Sequence, residues 1–73
     1  MAKKRILAEV AGKVLRVEAP AGTQVADGDT IVLIECMKME IPLVAPVAGS
    51  IAEVHVAEGD NVAEGQAVAT LEN

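Results

Sequence analysis

At 73 residues the chain has room for one domain with one small core, because a chain of this size buries only about 60% of its unfolded surface. Apolar residues make up 52% of it, yet Phe, Tyr and Trp are absent, so Val, Ile, Leu, Ala and Met must fill the interior, a palette that suits a many-stranded β fold. The net charge of -5 opposes a phosphate-binding surface, and without aromatics there is no platform for stacking bases, which argues against nucleic acid as a partner.

In chain order, Met1 to Arg5 is the only basic run, and it superficially resembles the start of a signal peptide. Glu9 interrupts the apolar stretch Ile6-Leu7-Ala8 too early for that, and no apolar run approaches the roughly 20 residues that span a bilayer. A soluble chain with no membrane partner and no export is expected. From Ile6 onward, short apolar runs are divided by glycine turns rather than spaced at three and four residues, which predicts about four short strands in each half. Gly22-Thr23-Gln24-Val25-Ala26-Asp27-Gly28 reads as a turn whose outer glycines take positive φ while Val25 plugs the core. A phosphate cradle would need a helix after the glycine-rich loop, and none is indicated. The strand Thr30 to Glu35 then turns through Cys36-Met37-Lys38-Met39 and returns along Glu40 to Val44. After Ala45-Pro46-Val47-Ala48-Gly49, the segment Gly59 to Gly65 supplies a second turn of the earlier type.

The second half is the first written again without gaps. Gly12 pairs with Gly49, an offset of 37 residues, and that offset carries through the chain, so residues 1–36 overlay residues 38–73. Identical residues recur at Ala8, Val10, Ala11, Gly12, Val17, Gly22, Val25, Ala26, Gly28 and Glu35. Ile6 meets Leu43, Leu7 meets Val44, Val14 meets Ile51, Ile31 meets Val68 and Ile34 meets Leu71, which predicts equivalent core positions in two halves sharing one core. Residues 1–73 are therefore read as a single domain. The implied dyad makes Met1 equivalent to Lys38, so the hairpin at the junction and the meeting of the termini should occupy opposite ends.

Little chemistry can be assembled elsewhere. Cys36 is the only cysteine, which rules out an internal disulfide and suits a reducing cytoplasm, and no Cys/His cluster has the spacing of a zinc site. The one His, one Cys and one Ser fall in different segments as His55, Cys36 and Ser50, so no catalytic residues are assigned and an enzyme is not expected. His55, aligned with Glu18, is expected to point outward from a strand.

The hairpin breaks a local rule. Two-residue turns favour Asn-Gly or Asp-Gly because both central residues need positive φ, yet here Met37 and Lys38 hold the tip, as happens where function overrides local preference. Glu35-Cys36-Met37-Lys38-Met39-Glu40, followed by Ala45-Pro46-Val47-Ala48-Gly49, resembles the modification motif of the biotinyl/lipoyl attachment domain family, centred on Met-Lys-Met. The resemblance covers essentially the whole chain, repeat included. It implies an all-β fold, a flattened eight-stranded β-barrel or barrel-sandwich hybrid, with the modified lysine on the hairpin opposite the termini. It also implies that a biotin protein ligase attaches biotin to Lys38, and that the tethered biotin carries carboxylate between a biotin carboxylase and a carboxyltransferase.

Each residue of the motif also has a plainer reading. Lys38 alone would pass for a solubilising surface lysine, and Met37 and Met39 for fillers of a core without aromatics. Their place in the motif favours attachment at Lys38 and partner recognition by the methionines. Glu35 and Glu40 fit recognition or a solvated face, and Glu72 repeating Glu35 favours a structural share. Cys36 departs from the small Ala or Ser often found two positions before the family lysine, and Glu9 stands where the second half has Pro46. Lipoate on the same Lys38 is the nearest alternative, although lipoyl domains typically carry Asp-Lys-Ala; an unmodified structural barrel is another. The gapless repeat leaves no room for the thumb inserted in the first half of many bacterial acetyl-CoA carboxylase carriers.

Overall fold

The computed structural model describes residues 2–73. Strand character follows the β-branched runs, giving β1 (Lys3–Leu7), β2 (Gly12–Val17), β3 (Gln24–Val25), β4 (Thr30–Cys36), β5 (Met39–Val44), β6 (Gly49–Val54), β7 (Asn61–Val62) and β8 (Ala67–Glu72). The strands of the second half repeat those of the first at the offset read from the sequence. Ile31 and Val32 are adjacent yet both buried, which a regular strand facing solvent on one side does not allow. A register shift between Thr30 and Val32 resolves this by leaving Ile31 as the extra residue of a β-bulge, and Val68 beside Ala69 is accommodated in the same way opposite Ile6 and Leu7.

The strands form two four-stranded sheets, in the orders β1-β8-β6-β3 and β5-β4-β2-β7, and each sheet draws two strands from each half. Rotation about the dyad exchanges the sheets. The turns lock the exchange: the Gly22 amide donates to the Ile51 carbonyl at 2.7 Å, and the Gly59 amide donates to the Val14 carbonyl at 2.8 Å. Both turns hold the φ expected of them, 93° and 90° at Gly22 and Gly28 and 90° and 85° at Gly59 and Gly65. Val25 and Val62 lie buried between those glycines. The expected eight-stranded barrel thus takes its sandwich form, with hydrogen-bond ladders in two separate sheets rather than one closed ring.

Dyad mates fill the core together. Ile6 with Leu43, Ala8 with Ala45, Val14 with Ile51, Val25 with Val62, Ile31 with Val68, Val32 with Ala69 and Ile34 with Leu71 are all buried in one cluster. Leu7 and Val44 were expected to join them and do not, at 45% and 39% exposure. They follow the buried Ile6 and Leu43, so strand alternation turns them outward. His55 is exposed as expected, but it comes just after β6 rather than on it, with Nε2 2.9 Å from Thr70 Oγ1.

The body measures 36 × 17 × 17 Å. At one end, Asn61 lies beside Lys13 and Lys13 beside Glu35, next to the β4–β5 turn. From there the chain passes Gly65 and runs along β8 away from that end, and the Asn73 and Ala2 backbones then exchange hydrogen bonds of 2.8 and 3.0 Å. Ala2 and Asn73 are the dyad mates of Met39 and Cys36, so the described termini meet where the repeat requires. The equivalence of Met1 with Lys38 lies outside the described residues.

Because Ile34 and Leu71 are mates in a shared core, Ile34→Ala and Leu71→Ala should each destabilise the domain by about 2–5 kcal/mol. Urea unfolding should find the two costs within about 1 kcal/mol of each other in a single transition. Two transitions, or a loss confined to one variant, would mean that the halves do not share a core.

Candidate functional site

The site is built by the β4–β5 hairpin. Cys36 pairs with Met39, Glu35 with Glu40, Ile34 with Ile41 and Leu33 with Pro42, leaving Met37 and Lys38 as the two turn residues. Their φ values are 52° and 67°, both left-handed, as a type I′ turn demands. Neither residue is glycine, and the left-handed conformation costs an ordinary side chain about 1 kcal/mol or more. The strands behind the turn hold it there. Ile34 and Leu43 are buried on the core side, so a slip of one residue would carry the apolar face of a strand into water.

Pro42 sits in this hairpin without loss. In an antiparallel pair, hydrogen-bonded and non-hydrogen-bonded residues alternate, and counting from the closing pair Cys36–Met39 places Pro42 at a non-bonded position facing the open edge of the sheet. Its missing N–H is therefore one that β4 does not use, and it blunts the edge against further strand pairing. The mate of Pro42 is Arg5 on β1, where a basic run guards an open edge of the other sheet.

Met37 is 90% exposed and Met39 62% exposed, so neither fills the core. Lys38 is exposed between them, as are Glu35 and Glu40, while Cys36 is half-buried as a free thiol. The two glutamates stand directly opposite one another across the strands, an arrangement that costs stability through like charge. Lys13 on β2 is the neighbour of Glu35 on its other side, so the row across the sheet reads Lys13, Glu35, Glu40. All five motif residues named from the sequence are thus gathered at one tip. Ser50 lies away from it, beside Glu72 near the termini, and its hydroxyl donates to the Glu72 carbonyl at 3.5 Å. Two features of the tip escaped the sequence reading: Lys13 in the charged row and Gly12 beneath β4. A glycine repeated at the start of a strand is the signal that points to Gly12, since strand glycines mark a close approach of backbone.

An exposed side chain on a strained apex of an otherwise packed β-sandwich defines a domain built to present one group. The chain belongs to the biotin/lipoyl attachment family, whose model, described as "Biotin-requiring enzyme", matches residues 4–71. Among curated relatives, a biotinylated protein TB7.3 homolog of Mycolicibacterium smegmatis is 50% identical over 40 residues, 55% of this chain and 56% of that protein. A biotin/lipoyl attachment protein of Bacillus subtilis is 43% identical over 37 residues, 51% of each chain. The chain thus spans about half the length of the curated relatives it matches. Among solved structures, the urea carboxylase of Kluyveromyces lactis contains a region of the same fold, with TM-score 0.93 and 28% identity over 99% of this chain and 6% of that one. The lipoyl domain of the 2-oxoglutarate dehydrogenase complex of Azotobacter vinelandii aligns with TM-score 0.73 and 31% identity over 88% of this chain and 81% of the domain.

If the left-handed backbone at the tip is held against local preference, Met37→Asn should relieve it, because asparagine favours the first position of a type I′ turn. The expected gain is about 1 kcal/mol, or roughly 4–8 °C in Tm for a domain of this size. Met37→Leu, equally apolar and equally ill-suited to positive φ, should leave Tm unchanged. A Tm for Met37→Asn no higher than that of Met37→Leu would show that the turn stores no such strain.

Proposed function

We propose that this chain is a biotin carboxyl carrier with Lys38 as the point of attachment. The observation that carries the reading is the single exposed lysine at a left-handed hairpin apex, flanked by two methionines that leave the core for solvent. The tip suits such a group. The Lys38 ε-amine stands clear of the sandwich, where a ligase holding a biotinyl adenylate can bring the acyl carbon to it. The amine nitrogen forms an amide bond with that carbon as the acyl–phosphate C–O bond breaks, AMP leaves, and the nitrogen gives up a proton. Met37 and Met39 offer flexible thioethers as contact surface for the ligase and for the later stations. Glu35 and Glu40 frame the approach with negative charge.

Once attached, biotin supplies the carboxyl-carrying chemistry, exchanged between a biotin carboxylase and a carboxyltransferase. The protein supplies reach and orientation. Tethering replaces capture from solution by a high local concentration, so docking at each station can be weak. The chain acts as a carrier, not as the catalyst, and the cytoplasm is the compartment this reading assigns to it.

Lipoate on the same lysine is the second reading, favoured by the 31% identity with a lipoyl domain and by the biotin/lipoyl name of the Bacillus relative. Met-Lys-Met in place of Asp-Lys-Ala weighs toward biotin.

With a biotin protein ligase, ATP and biotin, the protein should gain the mass of one biotin less one water, and peptide mapping should find it on Lys38. Lys38→Arg should fold with an unchanged circular dichroism spectrum and gain nothing. Mass gain by the Arg variant would remove Lys38 from the assignment.

The choice of cofactor has its own test. Met37→Asp combined with Met39→Ala should slow biotinylation and speed lipoylation when both ligases are assayed in parallel. An unchanged ratio of the two rates would place selectivity on the sandwich surface rather than in the methionines.

A further inference from the structure

The six glycines are three dyad pairs, and they answer two different needs. Gly22, Gly28, Gly59 and Gly65 have positive φ with open space where a Cβ would stand. Gly12 and Gly49 are the reverse: neither needs a left-handed backbone, and both are pressed against a neighbouring strand. A Cβ on Gly12 would lie 2.3 Å from the Glu35 carbonyl oxygen, 2.8 Å from Ile34 Cγ2 and 3.1 Å from the Glu35 carbonyl carbon. Two of those three atoms are backbone, so no side-chain rotation relieves the clash. Ordinary C···O contact begins at about 3.3 Å, so β2 and β4 would have to part by about 1 Å.

Resting on the reading of Lys38 as the attachment point, we propose that Gly12 is a positioning residue for the hairpin tip. Its missing side chain lets β2 seat directly against the backbone of β4 at Glu35, three residues before Lys38, and so sets where the apex stands on the body. Gly12 is on the strand that braces the hairpin: β2 lies against β4 from Lys13–Glu35 to Val17–Val32, while β5, on the other side of β4, is an open edge of the sheet. The hairpin is therefore supported from the β2 side, and a shift there passes along β4 into the turn. Ligation needs the amine within bonding distance of an acyl carbon held by another protein, and about 1 Å of misplacement can slow such a step by as much as 100-fold.

The repeat supplies the control. Gly49 makes the same close approach at the other end, where a Cβ would lie 2.6 Å from the Glu72 carbonyl oxygen, 2.9 Å from Leu71 Cδ2 and 3.0 Å from Asn73 Cβ. Ala at position 49 imposes the same kind of clash on the same core, but beside the termini rather than the tip.

The test compares Gly12→Ala with Gly49→Ala in the whole chain, at a temperature where circular dichroism shows both to be folded. Initial biotinylation rates are measured under kcat/KM conditions, and amide shifts are recorded by 15N NMR. The expected result is similar destabilisation of the two variants, with Gly12→Ala labelled at least ten-fold more slowly than Gly49→Ala and the latter close to the unsubstituted rate. Amide shift changes at Cys36 to Met39 should appear in Gly12→Ala alone. Equal labelling rates together with undisturbed tip amides in Gly12→Ala would overturn the proposal. If the unsubstituted protein took up no biotin, the attachment reading would fail, while the amide shifts would still decide whether Gly12 positions the tip. Should Gly12→Ala not fold, both variants are repeated with Asn73 joined to Ala2 through a short linker, which stabilises the domain far from the hairpin. Unfolding of Gly12→Ala in that closed form, with Gly49→Ala folded, would also overturn the proposal, since the contact would then hold the fold and not the tip.

Discussion

Each half of this chain completes the other. The bonds from Gly22 to Ile51 and from Gly59 to Val14 tie the turn of one half to the second strand of the other, and every larger feature depends on that exchange. Without it neither sheet has its four strands, and Val25 and Val62 have no core to enter. A chain without aromatics gains little from any single side chain. It holds together because the buried positions come in pairs that close on one another, mostly with β-branched residues or leucine.

That arrangement leaves the hairpin free to be unfavourable. A left-handed backbone at Met37 and Lys38, facing carboxylates at Glu35 and Glu40, and two solvent-exposed methionines each detract from stability. They are gathered at one place, and the strands that lead to them are anchored by Ile34 and Leu43. Local preference yields at the hairpin apex, and the remainder of the fold absorbs the cost.

Much of this was legible in the residues themselves. Gapless repetition at 37 residues gave the strand count, the dyad, the shared core and the place of the hairpin, because a repeated apolar pattern must be buried twice in the same way. Lys38 and its methionines stood out since Met-Lys is a poor sequence for a tight turn. What could not be read were matters of one residue or one ångström. Leu7 looked like core because it matches Val44, but apolar agreement between halves does not tell which face of a strand a residue takes, and the bulges that let Ile31 and Val68 be buried beside Val32 and Ala69 leave no mark in the pattern. The approach of Gly12 to Glu35 depends on which strands are neighbours, and a pattern along one strand carries no record of its distance to the next.

The backbone contact between Ala2 and Asn73 has a consequence of its own. The polypeptide enters and leaves through one doorway, at the pole of the body away from Lys38. A longer protein could therefore host this fold as a bead on a loop, with its own chain interrupted by no more than the width of two paired strands, and the lysine would still face outward. A region amounting to 6% of a urea carboxylase overlays 99% of this chain, so the fold does occur within a much longer chain. Geometry at one pole makes the module portable, and leaves the opposite pole exposed.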